Sequence, residues 1–88
     1  MIAEIGKKKK IVSEISDLIK ELKKIRMALL EIIHRYCDKV SYDTITNICN
    51  LILSLTRIIN TSNREINELI EEMNRLKEKN KNLNKKNE

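Results

Sequence analysis

Apolar residues recur through the first half of the chain at Ile11, Ile15, Leu18, Leu22, Ile25, Leu29, Ile32 and Tyr36, at intervals that alternate between four and three. That alternation marks a helix with a heptad seam, Ile15, Leu22, Leu29 and Tyr36 at a and Ile11, Leu18, Ile25 and Ile32 at d. It predicts a helix over about residues 8–38. Ile2 and Ile5 could extend it, but the run Lys7 to Lys10 places lysine on the seam and weakens that end.

In the second half the same rule selects Ile45, Ile48, Ile52, Leu55, Ile59, Ser62, Ile66, Leu69, Met73, Leu76, Asn80 and Leu83. The register runs through Asn60 to Asn63 without a skip. Ser62 followed by Glu65 also reads as a capping box, which would begin a third helix there. A loop usually resets the heptad phase, so one continuous helix over about residues 42–82 is expected, with 83–88 as a basic, frayed tail. Ser62 and Asn80 are polar intrusions on this seam; Ser62 could set register or permit a bend.

The first seam ends at Asp38, Lys39, Val40 and Ser41, with the turn expected at about 39–41, and Ser41 or Asp43 can cap the next helix. So short a connection makes neighbouring helices antiparallel. Tyr36 should then lie near Ile45, Leu29 near Ile52, Leu22 near Ile59 and Ile11 near Ile70, with the second helix projecting beyond the first. The expected fold is all-α: one domain, an antiparallel two-helix coiled-coil hairpin.

A second apolar set lies beside the seams: Leu30, Ile33, Cys37 and Val40, with Cys49, Leu51, Leu53 and Ile58. A two-stranded coil has no use for it. It predicts an oligomer interface, most simply a homodimer forming a four-helix bundle.

Composition sharpens this picture. The 88 residues contain no proline, one glycine (Gly6), no phenylalanine and no tryptophan. Interior volume must therefore come from Ile and Leu in repeating layers, and only ordinary polar residues can make turns. The abundance of Ile, Lys and Asn suits an AT-rich genome, as in many viruses and some bacteria and archaea. Cys37 and Cys49 are too few for a disulfide framework and have no metal-ligand spacing, so a reduced, cytoplasmic setting is expected, that of the host cell were the gene viral. They read as small apolar residues at the second interface. Met1 to Gly6 is too short for the apolar core of a signal sequence, so secretion is not expected, and the run Ile45 to Ile59 is interrupted by Asn47, Asn50 and Arg57 and is too short to span a bilayer.

The net charge is +5, and its placement is uneven. Lys7, Lys8, Lys9 and Lys10 stand against Glu4 at one end; Lys77, Lys79, Lys81, Lys85 and Lys86 stand against Glu78 and Glu88 at the other, giving each end +3. Antiparallel folding brings both to the open end of the hairpin. These nine lysines are the candidate anion-binding set, for phosphates or acidic headgroups; a solubilising role is the plainer reading. With no arginine or aromatic among them, only sequence-independent contact with nucleic acid is expected. Membrane tethering is not expected, since neither basic run adjoins an apolar face.

Catalytic chemistry finds no foothold. His34 falls on a solvated face without a carboxylate to orient it, no Gly-x-Ser-x-Gly elbow accompanies the serines, and one glycine cannot build a phosphate loop. The acidic pairs Glu71 with Glu72 and Asp17 with Glu21 are ordinary surface ion-pair positions. No catalytic, cofactor or metal residue is assigned. The chain reads as a non-enzymatic interaction or adaptor module acting on an unidentified protein partner as a homo-oligomer, with sequence-independent nucleic-acid binding as the alternative.

Overall fold

The computed structural model describes the backbone of residues 2–87 and the side chains of residues 3–81. Two helices make up the fold, α1 (Ile2–Tyr36) and α2 (Tyr42–Asn87). They pack against each other in a hairpin 72 Å long and 15 Å across. The 46 residues of α2 account for the long dimension, at about 1.5 Å of rise per residue.

α1 begins before its expected start and ends at Tyr36, short of residue 38, so the connection spans 37–41, while α2 runs past its expected end. α1 starts at Ile2 rather than near residue 8, because Ile5 and Lys8 carry the seam backwards and Gly6 lies in the helix with open space around it. α2 passes unbroken through Asn60 to Asn63, which excludes a third helix, and its backbone stays helical to Asn87. Ser62 is half-buried between Ile59 and Ile66, and both of those pack on Ile19.

The connection is built without a left-handed residue; none of the described residues has positive φ. The Cys37 N–H donates to the Ile33 carbonyl at 3.0 Å and the Lys39 N–H to the Tyr36 carbonyl at 2.9 Å, tightening the end of α1. His34 and Arg35 in the last turn complement the negative end of its dipole. Ser41 then caps α2. Its Oγ accepts from the Thr44 N–H at 3.3 Å and lies 2.9 Å from the Thr44 hydroxyl, and Asp43 adds a negative charge to the first turn.

The interior is one seam. On α2 the expected positions from Ile45 to Asn80 are turned inward, with Leu55, Ile59, Ile66 and Met73 buried; Leu83 lies outside the described side chains. On α1 the seam is displaced from its expected place. Ile15, Leu22 and Leu29 do face α2, but Tyr36, expected in their row, is exposed, and their companions are Val12, Ile19, Arg26 and Ile33, not Ile11, Leu18, Ile25 and Ile32, which are exposed too. The reason is geometric. Residues 11, 18, 25 and 32 form one row along α1, residues 15, 22 and 29 a second, and residues 12, 19 and 33 a third, giving an apolar arc three rows wide. Perfect periodicity on two rows does not decide which edge of such an arc the partner takes.

Placing the seam on the third row brings Arg26 into it, and the second row, which faces α2 in either setting, adds Lys8 at the far end. Arg26 is accommodated by running its stem along the seam and donating from Nη1 to the Thr56 hydroxyl at 3.3 Å; that hydroxyl donates in turn to the Ile52 carbonyl at 2.9 Å. Lys8 ends the seam by pairing with Glu72 at 2.6 Å. These cross-helix contacts agree with the expected alignment, in which Leu22 lies level with Ile59.

Ile59 is 2% exposed and touches the centre of the cluster formed by Ile19 and Ile66. Ile59→Ala is expected to lower unfolding free energy by about 2–5 kcal/mol, whereas Met27→Ala, on the outer face of α1, should change it by no more than about 0.5 kcal/mol. Urea titration followed by circular dichroism checks both.

Candidate interaction surfaces

Two cross-helix contacts establish which outer rows share a side of the hairpin. Lys8 belongs to the second row of α1 and reaches Glu72, which continues the α2 row of Leu51, Ile58 and Glu65 at intervals of seven. Arg26 belongs to the third row and reaches Thr56, in the α2 row of Cys49 and Ile70. The first row of α1 adjoins the second. Ile11, Leu18, Ile25 and Ile32 therefore lie on the same side as Leu51 and Ile58, and Leu30, Cys37, Cys49 and Ile70 flank the opposite side.

All six residues of the first group are exposed, Leu18 by 54%. Alignment of the helices sets Ile58 near the level of Ile25 and Leu51 near that of Ile32, so the six make one continuous apolar face running from the middle of the rod to the closed end. No charged residue interrupts its rows between Ile11 and Ile32 on α1, or between Leu51 and Ile58 on α2.

Of the residues expected at an oligomer interface, Leu51 and Ile58 lie on this face. Ile33 is half-buried in the intramolecular seam instead. Leu30, Cys37 and Cys49 are exposed on the other side, Leu53 further round it, and Val40 in the connection. The expected set is thus divided between two sides, and the long row on α1 was missed because its members had been assigned to the interior. The overlooked signal was the width of the arc: Val12, Ile19 and Ile33 form a third apolar row that one partner helix cannot cover together with the other two.

The lysines gather at the open end but not on one surface. Successive helical residues diverge by about 100°, so Lys7, Lys9 and Lys10 project in different directions, all exposed, while Lys8 is turned inward. Lys77, Lys79 and Lys81 are likewise exposed on different rows. The side chains of Lys85 and Lys86 lie outside the described residues. A shallow cleft at this end is lined by Glu4, Lys8, Glu72, Arg75 and Leu76. Lys8 donates a hydrogen bond to Glu72 and adds its charge, with a smaller contribution from Arg75, so the Glu72 carboxyl titrates below the ordinary glutamate range.

His34 is exposed, both cysteines are free and exposed, and no cluster of three or more His, Cys, Asp or Glu able to hold a metal occurs among the described residues. No helix of the described residues is long and apolar enough to cross a membrane. Comparison with known proteins returned no matching family model, no matching curated protein and no matching solved structure.

The lowered pKa of Glu72 gives a signed pH dependence. A carboxylate whose pKa falls on folding stabilises the folded state above its unfolded value, about 4.3, and that contribution is lost as pH falls through the lower folded value. Hydrogen exchange at the open end of α1 should therefore quicken relative to its centre as pH drops below about 4.3, after correction for intrinsic rates. Glu72→Gln should remove that differential. An unchanged pH response in the variant would assign it to other carboxylates.

Proposed function

We propose that this chain is a non-enzymatic helical interaction module that works as a homo-oligomer, with the apolar face of Ile11, Leu18, Ile25, Ile32, Leu51 and Ile58 as its self-association surface. The carrying observation is the exposure of that whole face in a fold with only five buried apolar residues among those described, Ile19, Leu55, Ile59, Ile66 and Met73. A two-helix rod has little interior to offset the entropy of ordering its chain. The face is thus needed for the stability of every molecule, and a second copy is the one partner always at hand. As a four-helix bundle, the assembly would present its remaining outer surface, including Leu30, Leu53 and Tyr42, to a protein partner.

Sedimentation equilibrium of the intact chain is expected to give the mass of a dimer. A folded monomer at micromolar concentration would overturn the self-association. Leu18→Lys should weaken association at least about a hundredfold, because burying an unpaired charge costs several kcal/mol at 1.4 kcal/mol per tenfold.

A second reading draws on the exposed lysines at the open end: sequence-independent contact with nucleic-acid phosphates, through Lys7, Lys9 and Lys10 together with Lys77, Lys79 and Lys81. It predicts duplex-DNA binding, read by fluorescence anisotropy, that falls steeply with salt. Replacing Lys7, Lys9 and Lys10 with Gln should weaken it without altering oligomeric mass; Lys8 is left in place because it pairs with Glu72.

A further inference from the structure

The proposed self-association leaves the direction of the second copy open, and the residues of α1 choose it: we propose that two hairpins dock α1 against α1 in antiparallel orientation, about a two-fold axis between Leu22 and Ile25. This rests on the self-association reading and goes beyond it.

The first two rows of α1 together make a second complete heptad seam, alternating four and three from Ile11 to Tyr36. An antiparallel coil sets each a position opposite a d position. With the axis midway between Leu22 and Ile25, every position meets that requirement at once: Leu22 faces Ile25, Leu18 faces Leu29 and Ile11 faces Tyr36 of the second copy. The seam is its own complement, as an isologous contact requires. Residues of the second row are half-buried against α2 and those of the first are exposed, so the surface left over lies toward this seam.

Charge selects the same direction. Along the outer edge of the first row lie Glu14, Glu21, Ala28 and Arg35, all exposed. Antiparallel docking brings Glu14 level with Arg35 of the second copy, twice by symmetry, and sets Glu21 beside Ala28. Parallel docking brings identical levels together. Both Lys7 to Lys10 runs and both lysine-rich ends of α2 would then crowd one end of the bundle, where like charges repel. In the antiparallel dimer the basic ends are carried to opposite ends of the assembly.

Electron–electron double resonance decides the matter. In a chain with Cys37→Ser and Cys49→Ser, a nitroxide is attached at Arg35→Cys. Positions 14 and 35 are 21 residues apart, about 32 Å along a helix at 1.5 Å per residue. Antiparallel docking therefore predicts a separation between the two labels of at least about 30 Å. Mixing this protein with one labelled at Glu14→Cys should add a distance below about 20 Å, from labels at one level on helices 8–10 Å apart. A distance below about 20 Å from Arg35→Cys alone, with dimer mass, overturns the orientation while sparing self-association. Absence of any interchain distance, with monomer mass, overturns both; retained helicity in each labelled chain confirms that the variants fold.

Discussion

Two helices can enclose only one seam, and most of the fold follows from that limit. A helix in a hairpin has a single neighbour, which can cover two adjacent rows of its side chains; α2 is built for this, with nearly all its inward positions apolar and, among the described residues, only Tyr42, Leu51, Leu53, Ile58 and Ile70 prominent elsewhere. α1 is not. Its three apolar rows exceed what α2 can cover, so one must face outward whichever way the helix is turned. The turn it takes exposes Ile11, Leu18, Ile25 and Ile32 and draws Arg26 inward, with Lys8 at the end of the shared second row.

That choice costs the intramolecular seam an apolar position at Arg26, beside the Lys8 that ends the second row. Arg26 needs the Thr56 hydroxyl, and Lys8 needs Glu72. Both contacts lie at the margins of the seam, where a guanidinium or ammonium group can keep contact with water, so neither charge requires full desolvation. They also fix azimuth. Arg26 on one edge and Lys8 on the other hold α1 at one rotation against α2, and this rotation is what aligns the first row with Leu51 and Ile58. The polar seam contacts and the outer apolar face are two consequences of one rotational setting.

The sequence was legible where a single periodicity ruled. On α2 the alternation from Ile45 to Asn80 identifies the buried side of the helix, its continuity through Ser62 and, with Leu22 level with Ile59, its alignment with α1. The cap at Ser41 was legible because a hydroxyl accepting from an amide three residues on is a local interaction. On α1 the same rule found two rows of an arc with three, and rows separated by 40–60° on a helical wheel cannot be ranked by apolarity alone when the third, Val12, Ile19 and Ile33, is nearly as apolar. What separates them is tertiary: the contacts with Thr56 and Glu72, and a start at Ile2 that makes Lys8 an interior position of the helix.

The displaced seam also gives physical meaning to the division of charge along the rod. If α1 needed only α2, the row Ile11, Leu18, Ile25, Ile32 would be better made of the glutamates and lysines that cover other outer rows, since four exposed branched residues at heptad spacing favour aggregation. Their placement between Glu14 and Glu21 on one side and the shared second row on the other instead matches the pattern of a helix with two neighbours, each served by its own seam. Charge then works against indiscriminate stacking. In the proposed dimer basic ends would repel one another, the apolar row ends before them at Ile11, and a second hairpin would be directed to the middle of the rod, where the contact can close on itself after two copies rather than propagate.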